Sequence, residues 1–394
     1  MIYDFAILGG GAAGLSLALE IIDSPLKNSS ILIVEKDAKD TNDRTWCYWA
    51  DRPTRYDGFA RQVWPRLRFQ SEGFDGTWEL SPLRYQMVRG LDFYNYAHLE
   101  LANHTVTFVR GLAEVADGPD YATVTVGTQS YQAKWAFDSR IRPSDVLPNP
   151  RRHHTLMQHF TGWEIESVTP VFDPHTVTLF DLRTPQRGGV TFFYILPFSP
   201  TRALVEYTLF SAQVLPDGEY GEALRKYLAT TLGIKDYRIL ETEQGIIPMT
   251  DHPFPRRLGK RILAIGTRGG RVKPSTGYAF ARIQRDSRRI VASLLQRGHP
   301  FAIPPDPLRY RFYDNVLLDV FTNEPALGRP ILASIFAKNP PQRVLQFLDD
   351  RSSWWEDIHI LSSPPAAPFL RALSRQISGK QFSARSNEER EALS

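Results

Sequence analysis

The stretch that decides the fold lies near the start of the chain, where residues 3–21 read YDFAILGGGAAGLSLALEI. The residues up to Leu8 are largely apolar, as in a buried strand, and three consecutive glycines follow them. Ala, Leu and Ser then recur at helical spacing. The segment therefore predicts a strand, a tight turn and a helix.

The glycines of this turn fit the pattern G-x-G-x-x-G at Gly9, Gly11 and Gly14. In that pattern the first glycine permits the turn, the second lets the backbone approach a pyrophosphate, and the third lets the helix pack tightly on the strand. The N–H groups at the helix N-terminus lack partners and can hold a diphosphate. We therefore expect the backbone from Gly9 to Gly14, with that of Ala13, to bind a dinucleotide.

A carboxylate follows at the spacing that a nucleotide site requires. The run SSILIVEKD (residues 29–37) predicts a second buried strand that ends at Glu35, twenty-one residues after Gly14. A carboxylate at this place accepts hydrogen bonds from ribose hydroxyls and repels a 2′-phosphate. The predicted nucleotide is therefore FAD or NAD.

The composition is that of an ordinary globular protein of 394 residues, with 42% hydrophobic and 23% charged residues. This length allows two structural units or one large domain with insertions. Cys47 is the only cysteine and cannot form an internal disulfide, which favours a reducing, cytoplasmic location. No segment has the roughly 18 to 20 uncharged apolar residues of a membrane-spanning helix, so we expect a soluble or membrane-peripheral protein.

Several kinds of site find no support in the sequence. The net charge of +4 is modest for this length, and no zinc-finger, recognition-helix or RNA-binding pattern indicates a nucleic-acid partner. The histidines and acids show no metal-ligand spacing such as H-E-x-x-H, so no metal site is predicted. A serine hydrolase is also disfavoured, because the sequence has no G-x-S-x-G elbow.

The middle of the chain is rich in strand patterns. Between Thr105 and Arg140, the runs TVTFVRG, YATVTVG and YQAKWAFDSR alternate with turn signals and predict an antiparallel meander. The runs HTVTLFDLRT, GVTFFYILPF and TRALVEYTLF follow between residues 175 and 210 and predict a second sheet inserted into the nucleotide domain. An aromatic-rich sheet of this kind can form a wall of a ligand pocket.

The stretch KRILAIGTRGGRVKPSTGYAF (residues 260–280) returns to the character of a nucleotide domain. It predicts a buried strand ending at Gly266, a glycine-rich loop, and a helix that opens near Pro274 with Ser275 or Thr276 as its cap. Residues 307–374 then predict short helices separated by prolines, whose apolar side chains could form core, a lid or a membrane-facing surface. The last residues are polar and are expected to be disordered.

Four stretches together resemble the FAD-dependent lycopene β-cyclases, which are carotenoid cyclases within the larger group of flavin monooxygenase-like proteins. They are ILGGGAAGLSLA (residues 7–18), NDRTWCYW (residues 42–49), QHFTGWEIES (residues 158–167) and IGTRGGRVKPSTGYAFARI (residues 265–283). With NPPQRVLQFLDD (residues 339–350) the resemblance spans nearly the whole chain. Flavin hydroxylases usually have Asp after the glycine equivalent to Gly266, whereas Thr267 stands here, as expected for a cyclase-like member.

The resemblance implies an α/β fold, with a Rossmann-like FAD-binding domain of the glutathione-reductase or hydroxylase type, an inserted antiparallel-sheet substrate domain and a helical C-terminal region. It also implies that FAD is bound by residues outside the first turn, namely Arg44, Gly266, Thr276, Gly277 and Tyr278. The predicted segments are 1–75 (FAD-binding, first part), 76–100 (substrate-side insertion), 101–150 (FAD-binding meander), 151–250 (substrate domain), 251–300 (FAD-binding, last part), 301–378 (helical region) and 379–394 (disordered tail).

Glu206 stands in the strand pattern TRALVEYTLF, between Val205 and Tyr207. From the sequence alone, such a glutamate could face solvent or discourage edge pairing of the sheet. The resemblance instead implies that Glu206 is the essential acid of a cyclase. By strand alternation Glu206 shares a face with Leu204 and Thr208, and we expect that face to line the substrate tunnel.

Ring closure without net redox change gives a chemical reason for such an acid. A proton adds to C2 of the ψ-end, the C5=C6 bond attacks the cation at C1, and C6 loses a proton. A carboxyl group in an apolar pocket stays protonated near neutral pH because burial disfavours its anion. Aromatic faces can stabilise the cation, and the candidates are Trp46, Trp49, Trp163, Tyr194 and Tyr207.

The resemblance implies lycopene as substrate, β-carotene as product by way of γ-carotene, and reduced FAD with NADPH as the probable reductant, while the physiological electron donor stays open. Reduced flavin could either stabilise the cation or move the proton. Because lycopene dissolves in membranes, we expect peripheral attachment at the cytoplasmic, inner face of the membrane. The alternatives are a flavin-dependent hydroxylase or reductase acting on a lipid-like or isoprenoid substrate, and an isoprenoid-binding flavoprotein without catalysis.

Overall fold

The structure, a computed structural model, describes residues 2–142, 145 and 153–377, whose strands form three sheets. The strands are β1 (Ile2–Leu8), β2 (Ile31–Glu35), β3 (Thr45–Ala50), β4 (Gln62–Trp64), β5 (Arg66–Ser71), β6 (Phe74–Glu79), β7 (Arg84–Arg89), β8 (Val106–Arg110), β9 (Ala113–Ala116), β10 (Ala122–Val126), β11 (Gln129–Asp138), β12 (Thr155–Ser167), β13 (Thr176–Asp181), β14 (Val190–Pro197), β15 (Arg202–Ser211), β16 (Tyr237–Thr250) and β17 (Ile262–Ala264). The predicted tail at 379–394 lies outside the described residues.

Helices cover the sheets and form most of the C-terminal region. They are α1 (Ala12–Ile22), α2 (Gly90–Leu101), α3 (Asp217–Thr230), α4 (Phe280–Arg297), α5 (Leu308–Asn323), α6 (Gly328–Lys338), α7 (Pro341–Leu348) and α8 (Trp354–Leu361). Residues 366–377 are also helical, and short 3-10 turns lie at Asp57–Phe59 and Pro325–Leu327. The short C-terminal helices agree with the sequence prediction.

The first sheet confirms the predicted strand, turn and helix at the N-terminus. β1 pairs in parallel with β2 on one side and with β11 on the other, and β17 pairs in parallel with β11. In α1 every residue except Glu20 is buried. Because parallel strands end at the same edge, the loops after β1, β11 and β17 meet there, and the Ser139 N–H donates to Leu8 O at 3.0 Å.

The predicted meander is confirmed for the runs YATVTVG and YQAKWAFDSR and wrong for the run TVTFVRG. β9, β10 and β11 pair antiparallel in succession. β8, which holds the TVTFV pattern, pairs instead in parallel with β2. The segment between β2 and β8 includes α2, a crossover that parallel pairing requires and a meander lacks.

The second sheet runs in the order β16-β12-β15-β14-β13-β5-β6. The predicted strands from HTVTLFDLRT, GVTFFYILPF and TRALVEYTLF lie side by side in it as β13, β14 and β15. The sheet also includes β5 and β6, because β5 pairs in parallel with β13. The predicted boundary at residue 75 therefore does not separate the two sheets, because β5 lies before it and belongs to the second sheet. Local patterns could not show this, since β5 and β13 lie about a hundred residues apart in sequence.

The two faces of the second sheet are covered by different parts of the chain. On one face, Val205, Tyr207 and Leu209 of β15 pack in a core with α3. On the other face, Leu204 and Phe210 pack in a core shared with the third sheet and with α5 to α8. Strand alternation places Glu206 on this second face, as predicted.

The third sheet, in the order β3-β7-β4, lies between the two larger sheets. Along β3, Tyr48 belongs to the core of the first sheet and Trp49 to the core of the second. The motif NDRTWCYW therefore forms the junction between the nucleotide half and the second sheet. This is why an irregular, aromatic-rich stretch occurs between two halves with simpler patterns.

The helix after the glycine-rich loop begins later than predicted. α4 starts at Phe280 rather than near Pro274, and neither Ser275 nor Thr276 caps it. Gly277 has a φ of 74°, which lies outside the right-handed helical region. The residues from Pro274 to Gly277 therefore form a turn, and the sequence prediction of the cap was wrong.

A buried lysine ties this turn to the C-terminal helices. Lys273 Nζ lies 2.9 Å from Asp314 Oδ1 on α5 and 2.7 Å from Asp350 Oδ1, just after α7. Ser275 Oγ donates to Asp314 at 2.6 Å, and Arg282 of α4 also pairs with Asp350. Since buried charges require partners, this network fixes the position of the helices against the turn.

Replacing Lys273 with Met should lower the free energy of unfolding by about 3–5 kcal/mol, because it leaves the buried Asp314 carboxylate without a cation. Urea unfolding followed by circular dichroism measures the change. The exposed Lys260 offers a matched control, and Lys260→Met should alter the stability by less than about 0.5 kcal/mol. Equal stabilities of the two variants would contradict this role of the network.

Candidate active site

The glycine turn has the close contacts that a dinucleotide turn requires. Gly14 packs so tightly that a Cβ there would lie 1.9 Å from Gly9 O. Gly9 has a φ of 106°, and a Cβ there would lie 2.2 Å from Ser139 Oγ. A Cβ at Gly11, in contrast, would meet no atom within 4 Å. Since α1 has no side-chain cap, its first N–H groups stay available to an anion beside this open space.

Glu35 stands at the end of β2, beside a cavity of about 220 Å³. Its Oε2 accepts from the Gly10 N–H at 2.6 Å, and its Oε1 accepts from the Asp37 N–H at 2.9 Å. The remaining lone pairs of the carboxylate can accept from hydroxyl groups. Apolar and polar residues together line the cavity, among them Ile33, Lys39, His98, Phe108 and Arg110. This lining suits a nucleoside.

The glycine-rich loop after β17 reaches the same place. Gly266 has a φ of 60°, and a Cβ there would lie 2.7 Å from Ala13 Cβ in the first turn of α1. Arg268 of this loop pairs with Asp138, which is buried at the end of β11. The structure thus brings Ala13 and Gly266 together, while the Arg268 side chain neutralises Asp138 at the edge of the sheet.

Arg44 lies just before β3, in the loop whose Lys39 lines the cavity. Its side chain is exposed, and Nη1 donates to Asp43 O at 2.7 Å. Its carbonyl accepts from the Gly90 N–H, which begins α2. No contact of the Arg44 guanidinium with the glycine turn is found among the described residues, so its assignment to the cofactor stays a prediction.

The turn from Lys273 to Tyr278 contacts the second sheet directly. A Cβ at Gly277 would lie 2.0 Å from Gln158 Oε1 on β12. Gln158 Oε1 and Thr276 Oγ1 are both buried without a hydrogen-bond partner within the part of the chain that the structure describes. Because buried polar atoms are ordinarily bonded, these two atoms point to a polar ligand between the turn and the sheet.

Glu206 lies in the middle of β15, and its neighbours across the sheet form a row. Tyr194 on β14 is opposite Glu206 on one side, and Gly162 on β12 is opposite it on the other. Gly162 is also opposite Glu243 on β16. Because Gly162 has no side chain, the carboxyl groups of Glu206 and Glu243 reach each other across it and are in hydrogen-bonding contact. We call Glu206 and Glu243 the carboxyl pair.

Each member of the carboxyl pair accepts a hydrogen bond from a threonine. Thr208 Oγ1 donates to Glu206 Oε1 at 2.6 Å, and Thr45 Oγ1 donates to Glu243 Oε2 at 2.5 Å. Glu206 is only 8% exposed. Burial raises the pKa of Glu206 well above its ordinary value, and the charge of Glu243 raises it further. Such a carboxyl group can remain protonated near neutral pH.

Four aromatic side chains lie beside the carboxyl pair, and we call Trp49, Tyr85, Tyr194 and Tyr278 the aromatic cluster. The Tyr278 ring meets the edge of Trp49 at a centroid distance of 5.0 Å, and its hydroxyl lies 3.5 Å from that of Tyr194. Trp49 also stacks near Tyr85 at 6.2 Å. The cluster therefore brings rings and hydroxyl groups to the face of the second sheet that holds Glu206, and it includes Trp49 and Tyr194 of the predicted candidates.

Three predicted aromatic candidates lie elsewhere. Trp46 stacks on Phe280 at 5.5 Å, beside the core of the first sheet. Trp163 and Tyr207 point to the opposite face of the second sheet, where they pack with α3. The prediction was wrong for all three. Trp163 and Tyr207 follow Gly162 and Glu206 directly in sequence, and adjacent residues of a strand point to opposite faces of the sheet.

Sequence reasoning missed Glu243, Gly162, Tyr85 and Thr45. The glycine inside the strand pattern QHFTGWEIES was a usable signal, since glycine in a strand often marks a close approach of other groups. Glu243 gave no comparable signal. Its position depends on the register of β12 with β16, which brings together residues about eighty positions apart in sequence.

The nucleotide turn, the second sheet and the helical C-terminal region define a class of fold that solved flavoproteins share. A flavoprotein/dehydrogenase from Cytophaga hutchinsonii has a TM-score of 0.64 at 14% identity, over 96% of this chain and 100% of that one. The flavin-dependent brominase Bmp2 has a TM-score of 0.60 at 15% identity, again over 96% and 100%. These likenesses establish the fold.

Within that class, the chain belongs to the family described as Lycopene cyclase protein, which matches residues 4–374. It is similar to the lycopene beta-cyclase of Paracoccus sp. (strain N81106 / MBIC 01143), with 28% identity over 302 residues, or 71% of each protein. It is also similar to the lycopene beta-cyclase of Pantoea ananas, with 23% identity over 401 residues, covering 94% of this chain and 97% of the relative. The resemblance drawn from the sequence motifs is confirmed.

Proposed function

We propose that this protein is a lycopene β-cyclase, which closes the ψ-ends of lycopene into β-rings, through γ-carotene to β-carotene, without net redox change. The observation that carries the proposal is the buried carboxyl group of Glu206, which faces the aromatic cluster and has no salt-bridge partner among the described residues. An isomerisation that begins with protonation of a carbon–carbon double bond requires an acid of this kind. Membership in the lycopene cyclase family supports the choice of substrate.

Glu206 acts as the proton donor in this proposal. Its proton passes to C2 of the ψ-end, the electrons of the C5=C6 bond form the C1–C6 bond, and the proton lost from C6 completes the isomerisation. Burial from water favours this sequence, because water could otherwise trap the cation as an alcohol. Leu204 and Thr208 flank the acid on its face of the strand, so the end group would contact both.

The aromatic cluster stabilises the positive charge in the proposal. Ring faces attract a cation without forming a bond to it, and the attraction is stronger where water is excluded. Trp49, Tyr194 and Tyr278 offer rings close to the acid, and burial raises the pKa of Tyr278 to about 12. The hydroxyl groups of Tyr194 and Tyr278 therefore stay neutral and are poor nucleophiles toward the cation.

FAD fits the residues at the edge of the first sheet. The backbone of Gly9, Gly11, Ala13 and Gly14 would hold its diphosphate, and Glu35 would hold its ribose. For the ring end, we propose a set of residues on the other loops: Arg44, Gly266, Thr276, Gly277 and Tyr278. The unpartnered oxygens of Thr276 and Gln158 support a polar ring edge at this place. When bound and reduced, with NADPH as the proposed reductant, FAD would supply a negative charge near the reacting end group.

Substitutions at Gly14 and Gly11 should separate folding from cofactor binding. Gly14→Ala should lower the free energy of unfolding by about 1–3 kcal/mol, because its Cβ would overlap Gly9 O. Gly11→Ala should leave the stability of the protein without cofactor unchanged, since its Cβ meets no protein atom. It should instead weaken FAD binding at least tenfold, measured by quenching of flavin fluorescence. Unchanged FAD binding in Gly11→Ala would place the cofactor elsewhere.

Glu206→Gln should abolish cyclisation, because glutamine keeps the shape of the side chain and cannot donate the required proton. The assay is anaerobic incubation of the protein with FAD, NADPH and lycopene in liposomes, followed by chromatography with absorbance and mass detection. Wild-type protein should yield products of unchanged mass and blue-shifted absorption. Glu166→Gln, on the exposed pair with Arg238, is the matched control and should keep full activity.

The same assay distinguishes the alternative enzyme classes. A product that has gained an oxygen atom or two hydrogens would indicate a hydroxylase or a reductase and remove the acid-catalysis proposal. Full cyclisation by Glu206→Gln would remove the assignment of the acid while keeping the cyclase. Bound but unchanged lycopene, in liposomes where a known cyclase is active, would favour a binding protein.

We also propose that the protein docks peripherally on the cytoplasmic face of the membrane, where its substrate is dissolved. In the described residues, no helix is long and apolar enough to cross a bilayer. α8 and the start of α5 instead carry exposed apolar side chains, which we call the apolar patch: Leu308, Phe312, Trp354, Trp355 and Ile358. Arg309 joins the two helices, since it lies 4.8 Å from the Trp354 ring and pairs with Asp357 at 3.0 Å.

The composition of the apolar patch favours a bilayer as its partner. Tryptophan partitions to the interface between headgroups and acyl chains, and the exposed Arg311 and Arg351 near the patch would attract anionic headgroups. The patch also lies on the helical region that covers the acid's face of the second sheet. A membrane-dissolved substrate would therefore approach the protein from the side that leads to Glu206.

Replacing Trp354 and Trp355 together with Ser should reduce binding to vesicles of phosphatidylglycerol and phosphatidylcholine. The loss should be roughly tenfold or more, on the scale of burying one large apolar side chain. Vesicle co-sedimentation measures it. Leu112→Ser is the matched control, because Leu112 is 70% exposed on a loop of the first sheet. Equal binding by both variants would remove the apolar patch as the docking surface.

A further inference from the structure

We propose that Glu206 and Glu243 share one proton, and that Glu243 is the positioning residue that keeps this proton on Glu206 until the substrate takes it. The inference deepens the proposed function and rests on it, because Glu206 is the proton donor there. It gives a role to a buried carboxyl group that the reaction as described above leaves unused. Gly162, which separates the two glutamates, becomes part of the same arrangement.

The geometry of the sheet makes this contact unusual. β15 and β16 are separated by β12, so their backbones lie about 10 Å apart at two strand spacings. Side chains at such positions ordinarily meet the side chain of the strand between them. Here a Cβ at Gly162 would lie 3.4 Å from Glu206 Cβ and 3.1 Å from Glu243 Cγ. A side chain at this position would press on both glutamates, so glycine leaves the two carboxyl groups the room to meet.

Two carboxylates in contact and away from water repel each other strongly, so the pair gives up its first proton readily and holds the second. Within the described residues, no arginine or lysine forms a salt bridge with Glu206. Glu164, on the same face of β12, shows the contrasting case. It is fully buried as well, but Arg61, Arg89 and Arg202 all pair with it. Of these two buried glutamates in the second sheet, Glu164 is therefore paired with cations and Glu206 is not.

The surroundings decide which member of the carboxyl pair keeps the proton. Glu243 accepts from Thr45 and lies near Arg89, and both favour its anion. Glu206 lies beside Tyr194 and the rest of the aromatic cluster, farther from positive charge. The negative charge therefore resides on Glu243 and the proton on Glu206, which is the member that faces the proposed end group.

Other ionisable groups face the pair from the elements that pack against it. From the packed elements they are Cys47 on β3, Tyr85 and Arg89 on β7, Glu164 on β12, Tyr194 on β14, Glu241 on β16, and Tyr278. Burial raises the pKa of the Cys47 thiol and of the tyrosine hydroxyls well above their ordinary values, so these groups are neutral. Glu164 and Glu241 are joined through Arg89. The proposal therefore assigns the pH dependence of the site to the carboxyl pair.

Sharing one proton also explains how the site returns to its starting state. When the Glu206 O–H bond breaks and the C2–H bond forms, both carboxyl groups carry a negative charge. Their repulsion makes the pair a strong acceptor for the proton that C6 releases as the ring double bond forms. One proton enters the substrate, one leaves it, and the pair again holds a single proton, so no co-reactant is consumed.

The test is the pH dependence of cyclisation by Glu243→Gln. Glu206 must be protonated to donate, so activity falls as the pH rises through its pKa. Removing the charge of Glu243 lowers that pKa, and the falling limb of kcat should move to lower pH by about one unit or more, with little change in KM. Glu241→Gln is the matched control. It removes one charge from the same face of the same strand, and the falling limb of its kcat profile should stay at the wild-type pH.

Thr45→Val distinguishes the shared proton from simple damage to the site. It keeps both carboxyl groups but removes a hydrogen bond that favours the Glu243 anion, so the proton should spend more time on Glu243. Its kcat should fall without a shift of the limb to lower pH. A limb that stays in place in Glu243→Gln, or moves equally in Glu241→Gln, would overturn the proposal.

A measurement without substrate separates this proposal from the proposed function. Infrared spectroscopy of the wild-type protein should show a protonated-carboxyl band at neutral pH that Glu206→Gln lacks. In Glu243→Gln this band should disappear at lower pH than in the wild type. If the wild type fails to cyclise lycopene but shows this behaviour, the shared proton stands and the proposed reaction falls. Absence of the band from the wild type would overturn the shared proton itself.

Discussion

Keeping water away from the Glu206 carboxyl group is the constraint that links the parts of this fold. A glutamate in the middle of a sheet is ordinarily exposed or paired with a cation, and this one is neither. Its face of the second sheet is covered by the third sheet, by the turn that ends at Tyr278, and by the C-terminal helices. These three elements come from different regions of the chain. The Glu206 carboxyl group is therefore shielded from water only when the whole chain is folded.

The charges around the site are arranged to satisfy the same constraint. Lys273 holds the turn against the C-terminal helices through Asp314 and Asp350, and this cover is therefore fixed by buried ion pairs rather than by apolar packing alone. Glu164 lies on the same face of the second sheet as Glu206, but its charge is fully compensated by the arginines that pair with it. These arginines pair with Glu164, and none of them forms a salt bridge with Glu206. An arginine that reached Glu206 would stabilise its anion, and the carboxyl group could then no longer donate a proton.

Much of this arrangement can be read from the sequence, and the reasons for the failures are physical. The nucleotide turn and the strand of Glu206 follow from local patterns, because glycine spacing and alternation act over a few residues. The late start of α4 was missed because the positive φ of Gly277 is set by its packing against Gln158. Trp163 and Tyr207 were misplaced because a strand reverses its face at every residue. Glu243 could not be found, since its register is set by pairing between distant strands.

The turn between Lys273 and Tyr278 is the place where the two halves of the molecule meet. On one side it continues into the loop of Gly266, which packs on the first turn of α1. On the other side Gly277 contacts Gln158 of the second sheet, and Tyr278 joins the rings beside Glu206. In the proposed reaction, a ligand at the nucleotide edge and the proton on Glu206 would therefore both lie beside this one segment. In that reaction, this contact would allow the nucleotide half to shape and charge the site of Glu206 without exchanging electrons with the substrate.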